Sequence, residues 1–231
     1  MNFLKAKWKN LILINYVIDP KILLPYVPKH TTLDFYDNKC YISLVGFLFE
    51  DTKVLGIKFP KHINFEEVNL RFYVKHNEKR GVVFIKEIVP KPLITSIANG
   101  IYHEHYETHE MSHLNSEEMN TYGYQWKVND KSQSFRVTTK ESHIPIEENS
   151  EAEFIAEHYY GYTKHKDKTF EYEVKHPTWH QKQILDYNIN VDFGETYGKT
   201  FEFLNHVKPS SIIFTEGSQV SVENKTTINA D

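Results

Sequence analysis

Glu67 and Arg71 stand four residues apart in the run Phe65 to Val74. If that run is a strand, its period of two puts Glu67, Asn69, Arg71 and Tyr73 on one face and Glu66, Val68, Leu70, Phe72 and Val74 on the other. A carboxyl and a guanidinium on one face can hold a carboxylate ligand and move a proton. Their Cα atoms are about 13 Å apart in extended chain, so a small anion lying between them bridges them more readily than direct pairing does. In a dry setting the Glu67 carboxyl would rise in pKa and could protonate a substrate. The competing reading is structural, either a buried polar network or a solvated face.

Further along comes Tyr102-His103-Glu104-His105-Tyr106. Read as a strand, it puts His103 and His105 on one face and Tyr102, Glu104 and Tyr106 on the other. Two histidines so spaced could ligate a transition metal if Glu67, His109 or His113 converged on them. No established ligand spacing is present, and a chain with 13 histidines clusters some of them by chance, so no metal and no cofactor are assigned. Glu67 and His105 are the acid–base candidates. Arg71, Tyr102, His103 and Tyr106 are the ligand-binding candidates.

Most of the elements that must position these residues read as strands. Lys7 to Ile18 alternates imperfectly. Asp19 can cap a short helix from Pro20 to Leu24, with proline at the first position, where its missing N–H costs nothing. Leu33 to Tyr36 and Lys39 to Glu50 read as a hairpin around Asp37-Asn38, its second arm nearly all apolar and so covered at least partly on both faces. Phe65 to His76 and Gly81 to Val89 form the clearest hairpin. Leu93 to Ile101 has helical spacing, weakened by Gly100 near its end. Strands follow at Tyr122 to Val128 and Ser132 to Thr139. Ser150 with Glu153 fits a capping box for a helix reaching about His158. Tyr159 to His165 and Thr169 to Lys175 make a hairpin, late strands fall at Trp179 to Leu185, Ser211 to Thr215 and Gln219 to Glu223, and the last polar residues are expected to fray. A curved antiparallel sheet closed around a helix leaves fewer exposed edges than an open one. No repeat, Gly/Ser linker or charge block marks a boundary, so residues 1–231 are read as one domain.

Composition narrows the function. The 15 tyrosines, 15 phenylalanines and 3 tryptophans favour strands and aromatic pocket walls. A net charge of -4 with scattered basic residues gives no nucleic-acid footprint. Cys40, the single cysteine, sits in the strand-like run CYISLVGFLF and reads as a core residue; with no intramolecular disulfide to form, the chain fits a reducing compartment. No apolar run approaches membrane-spanning length, and a cytoplasmic location is expected. There is no dinucleotide fingerprint, P-loop, nucleophile elbow or His-Glu-x-x-His motif.

Several segments, in their order and spacing, resemble the uncharacterised DUF2071, or YqjF-like, family over almost the whole chain. They are the Trp8 strand with Asp19-Pro20 and Val27-Pro28, Val45-Gly46-Phe47, Glu67 to Val74 with Gly81-Val82-Val83-Phe84, Glu157 to Tyr162, His176-Pro177 with Trp179, and Gly217-Ser218-Gln219-Val220. The resemblance implies the acetoacetate decarboxylase-like fold: mainly β (α+β), a curved antiparallel sheet forming a cone or barrel around a cavity, with a few short helices. In the decarboxylases, more distantly similar, a pocket lysine of lowered pKa forms a Schiff base with a β-keto acid. Glu67 is similar to the acid of their Tyr-x-Glu motif, with Phe65 where the tyrosine stands. Where their motif runs from Gly-Arg-Glu into Pro-Lys-Lys, this chain runs from Ala98-Asn99-Gly100 into His103 to Tyr106, and it has no lysine between Lys91 and Lys127. Schiff-base decarboxylation is therefore not expected. Many YqjF-like relatives carry an arginine before this stretch and Leu-Pro-Tyr within it; Asn99 and His105-Tyr106 stand roughly in those places, so the resemblance implies a kept tyrosine and an anion site that loss of the arginine could alter.

Three functions follow. The first is a cavity that binds a small, partly apolar carboxylic or keto acid. The second is acid–base catalysis on such a ligand through Glu67 and His105. The third is a packed interior with a structural or interaction role. A twofold homodimer is compatible with the sequence, although no feature compels one; neither nucleic acid nor membrane is expected as a partner.

Overall fold

The longest apolar runs form the longest strands. In the computed structural model, which describes residues 2–228, β1 (Asn2–Ile18) is followed by α1 (Pro20–Leu23), β2 (Thr32–Leu33), β3 (Cys40–Val54), β4 (Phe65–His76) and β5 (Lys79–Val89). Next come α2 (Pro92–Ile97), a π-helical turn over Ala98–Tyr102, β6 (Tyr106–Thr108), β7 (Met111–His113), β8 (Thr121–Val128) and β9 (Lys131–Pro145). The chain ends through α3 (Glu151–Ala156), β10 (Tyr160–His165), β11 (Lys168–Lys175), β12 (His180–Asn190), α4 (Phe193–Tyr197), a 3₁₀ segment over Lys199–His206, β13 (Ser211–Thr215), β14 (Gln219–Glu223) and β15 (Thr226–Ile228).

β1 organises the sheet because its two halves bond different partners. Both halves pair with β3, from Leu4↔Val54 to Ile18↔Cys40. On its other edge, Asn2 to Lys7 pairs with β14 and Leu11 to Asn15 pairs with β13. The first half completes a circuit of pairings, β1–β3–β4–β5–β10–β11–β14 and back to β1. The second half leads into a flap, β13–β12–β9–β8–β7. The flap contributes Tyr124, Trp126 and Phe135 to the same core as Ile42, Leu44, Val68 and Leu70 of β3 and β4. Residues of opposite parity on β3, Tyr41, Val45, Phe47 and Phe49, join a second core with Phe154 and Ile155 of α3. This is why the β3 sequence is nearly all apolar from Cys40 to Phe49, as expected. The flap approaches so closely at Gly46 that a Cβ there would stand 2.5 Å from the Phe135 ring.

The caps follow the sequence. Asp19 accepts from Lys21 N at 2.9 Å, and Ser150 Oγ accepts from Glu153 N at 3.1 Å. The Glu153 carboxylate reaches back to Asn149 N rather than Ser150 N, and α3 ends at Ala156, short of His158. Cys40 is buried, with its thiol pushed up to about 11 by desolvation.

Other expectations need correction. The sheet is mixed rather than antiparallel, because β5 pairs in parallel with both β10 and β6 after long crossovers. β2 pairs with β4, and only the Tyr36–Lys39 bridge flanks Asp37-Asn38, whose φ values of 48° and 58° make a tight turn. Residues 102–105 are not a strand, which begins only at Tyr106: the π-helical turn runs to Tyr102, and His103 turns left-handed at φ 59°. Thr226 to Ile228 are paired with β11, while residues 229–231, also expected to fray, lie outside the described residues. α4 and the 3₁₀ segment had no counterpart in the sequence reading.

Candidate functional site

β4 presents Glu67, Asn69 and Arg71 to a pocket of about 140 Å³ on the inner side of the strand circuit. α2 and the π-helical turn supply Ile97, Ala98 and Tyr102, and the segments after α3 supply His158 and His176. The walls are largely aromatic, among them Trp8, Phe47, Phe49, Phe65, Tyr172 and Trp179. His176 stacks on Trp179 with ring centroids 4.1 Å apart.

Three carboxyls meet inside this wall: Glu67 of β4, Glu87 of β5 and Glu104, each at least nine-tenths buried. Glu67 Oε1 accepts from Asn69 Nδ2 at 2.9 Å and Oε2 from the Tyr106 hydroxyl at 3.0 Å. Glu104 Oε1 accepts from Thr163 Oγ1 at 2.5 Å and from the Tyr172 hydroxyl at 2.9 Å. Glu87 Oε2 is buried without a partner. Desolvation pushes Glu67 and Glu104 up to about 7. Glu87 is raised furthest, first by desolvation and then by repulsion from Glu104 and Glu67. The three therefore share protons near neutrality, as carboxyls confined together must.

A bulge explains why Glu87 is among them. Arg71 pairs with Phe84 but Leu70 pairs with Lys86, which leaves Ile85 as an extra residue. The parity of β5 changes there. Val82 and Phe84 line the pocket, Lys86 instead reaches out to Thr196 O and Glu107, and Glu87 turns in. Lysine is absent from the pocket lining.

The other end is basic and aromatic. Among the described residues Arg71 makes no ion pair; its Nε is buried without a partner, and its only hydrogen bond runs to Ile155 O at 3.4 Å. His158 is buried beside the Tyr73 ring at 4.7 Å, and neither ring nitrogen has a hydrogen-bond partner. Its Nε2 stands 3.6 Å from Asp34 Oδ2, an electrostatic contact rather than a hydrogen bond. Burial lowers His158 to about 4, so it is neutral at pH 7. Arg80 Nε holds Asp34 Oδ2 at 2.7 Å.

Of the six residues selected from sequence, Glu67, Arg71, Tyr102 and Tyr106 come together in the pocket. His103 and His105 do not. His103 stacks on His165 at 3.9 Å outside it, and His105 is exposed, contributing only its carbonyl to Glu87 N at 3.1 Å. The physical reason is the turn. Asn99 Nδ2 donates to Tyr106 O at 2.9 Å and Asn99 Oδ1 accepts from Tyr106 N at 2.8 Å. That pin draws Tyr106 back against the π-helical turn and leaves the histidines outside. His109 and His113 pair separately with Glu107 and Glu66. Among the described residues no group of three or more His, Cys, Asp or Glu could hold a metal ion, and no helix is long and apolar enough to cross a membrane.

The mainly β mixed sheet with short helices resembles the class of acetoacetate decarboxylase-like folds, as solved structures show. The enduracididine biosynthesis enzyme MppR complexed with pyruvate superposes with a TM-score of 0.71, covering 99% of this chain and 91% of that one at 7% identity. An acetoacetate decarboxylase-like enzyme from Sphingomonas wittichii RW1 gives 0.66, covering 100% and 95% at 11% identity. Acetoacetate decarboxylase from Legionella pneumophila gives 0.65, covering 99% and 90% at 10% identity. Within that class the chain belongs to the DUF2071 family of uncharacterized conserved proteins, whose model matches residues 5–219. The uncharacterized protein YqjF of Bacillus subtilis (strain 168) is 23% identical over 218 residues, which span 91% of this chain and 90% of that protein.

Proposed function

We propose that the strand circuit is a barrel-like container for a small, partly apolar organic acid, with the acid's carboxylate seated on Arg71. The observation that carries this reading is the unpaired Arg71 guanidinium in an aromatic pocket. A half-buried guanidinium whose Nε is shut off from water and has no counterion is costly, and a bidentate carboxylate satisfies its charge and its donors together. Neutral His158 beside it can donate one further hydrogen bond. Pyruvate in the structurally similar MppR is an acid of suitable size. A packed interior has little support in a pocket with orphaned polar atoms.

The test is calorimetric titration with pyruvate and with pentanoate. Arg71→Met is expected to weaken binding of whichever acid binds by about 10- to 100-fold, the worth of a charge-assisted pair, while leaving the circular dichroism unchanged. Equal binding by the variant would remove Arg71 from the site.

Acid–base turnover is the second reading, favoured by Glu67, whose raised pKa lets it hold a proton near neutrality. It rests on Glu67 with Tyr106, not on His105, which is exposed. An active site of this kind should exchange the methyl protons of pyruvate for deuterium in D₂O, followed by NMR, and Glu67→Gln should abolish the exchange. No exchange above the buffer rate would leave binding alone.

A further inference from the structure

The pocket has two poles of opposite character, and only one of them suits a carboxylate. Along β4 from the unpaired guanidinium, Glu67, Glu87 and Glu104 converge from β4, β5 and the turn before β6, with Glu87 level with Asn69. Hydroxyl and amide donors already serve Glu67 and Glu104, whose acceptor oxygens are thereby arranged as they are around ionised carboxylates. Glu87 Oε2 remains buried, unpartnered and in the pocket wall. We propose that the ligand is a zwitterion, a small amino or amidino acid whose cationic nitrogen is held by Glu87 with Glu67 and Glu104 while its carboxylate lies on Arg71. The proposal rests on the reading of Arg71 as the carboxylate seat and adds the ligand's second end.

The charge balance supports it. Near neutrality a second anion placed among three carboxyls would be repelled, whereas a cation relieves their mutual repulsion and lets them ionise. Tyr106 and Tyr172 can only donate to these carboxylates or accept from their protonated forms, so they do not substitute for a positive charge. The charged groups that act on the cluster are Arg71 on the Glu67 side and Lys225 on the Glu104 side. Lys225 stands over the Phe170 ring at 3.9 Å, and Phe170 is not in the pocket wall. The aromatic faces between the poles are suited to a short methylene chain, and those of Trp8, Phe47 and Trp179 to a cation passing them. Binding the cation ionises carboxyls that were protonated, so it releases protons to solvent.

The experiment compares pentanoate with 5-aminopentanoate on the full chain by titration calorimetry at pH 7, each in phosphate and in Tris. The amino acid is expected to bind at least about tenfold tighter, the worth of one charge-assisted hydrogen bond. Its heat should differ between the two buffers in the sense of proton release. Glu87→Gln, nearly isosteric and relieved of a buried charge, should lose the preference, the ratio of the two affinities falling toward one. If that variant does not fold, the comparison of the two ligands on the unaltered protein still decides. Pentanoate binding as tightly as, or tighter than, the amino acid, without proton release, would overturn the zwitterion and leave the Arg71 seat standing. Binding of neither would overturn both.

Discussion

Glu67, Glu104 and His158 should leave opposite marks on stability against pH. Glu67 and Glu104 titrate near 7 when folded instead of 4.5. Below 4.5 both folded and unfolded chains hold these protons and the cluster costs nothing. Between 4.5 and 7 the unfolded chain releases protons that the folded chain keeps, so stability falls as pH rises and the loss is complete above 7. His158 acts in the other direction: it is held near 4 instead of 6.5, so the unfolded chain alone gains a proton as pH falls through that range, and stability is lost toward acid. Glu67→Gln should therefore stabilise the protein by about 1–3 kcal/mol at pH 8 and by almost nothing at pH 4, read from melting temperature across pH. A constant offset at every pH would mean that Glu67 is not the titrating group. Glu67 and Arg71 were legible because simple alternation holds along β4. Glu104 was legible only in its parity, shared with Tyr102 and Tyr106, since the histidines beside it drew the chemical reading. His158 follows a short helix and reads as core until Asp34, more than a hundred positions away, is placed 3.6 Å from it.

Strands with simple alternation were readable, and elements that break it were not. The extra residue at Ile85 exchanges the roles of Lys86 and Glu87, and no composition signal marks it. The π-helical turn depends on two side-chain bonds from Asn99, which alternation counting over Tyr102 to Tyr106 cannot register. Close packing between β10 and β11 has a sharper consequence. A Cβ on Gly161 would stand 2.1 Å from Tyr172 Cζ, and Tyr172 is the residue whose hydroxyl holds Glu104. Gly161→Ala must push that ring aside, at about 1–3 kcal/mol for overpacking. The expected result is a lower melting temperature together with weaker ligand binding; adding Tyr172→Leu removes the clashing ring and should partly restore the melting temperature, but not the binding, because the hydroxyl that holds Glu104 goes with it. An unchanged melting temperature would show that the two strands separate there at little cost.

Closure of the circuit belongs to the whole chain, because β14 near one end bonds the first residues of β1 on one side and β11 on the other. Sequence alternation reveals neither partner, and β1 lies almost the full length of the chain from β14; that closing contact is of the kind that forms late in folding. The divided edge of β1 makes the seam testable. Val220 of β14 is buried in the inner core with Ala6 and Trp179. Val220→Asp puts an unpaired charge there, a substitution that is strongly destabilising unless the seam opens to hydrate it. Opening is the less costly response, because Leu11 to Asn15 keeps its bonds to β13 and to β3. Hydrogen exchange by mass spectrometry should then show lost protection in peptides covering Leu4 to Lys7 and Gln219 to Glu223, with Leu11 to Asn15 still protected. Ligand binding should vanish with the same substitution, since Val222 of β14 and Phe3 and Leu4 of β1 line the pocket. Loss of protection in both halves of β1 at once would mean that circuit and flap unfold as one cooperative unit and that the seam has no stability of its own.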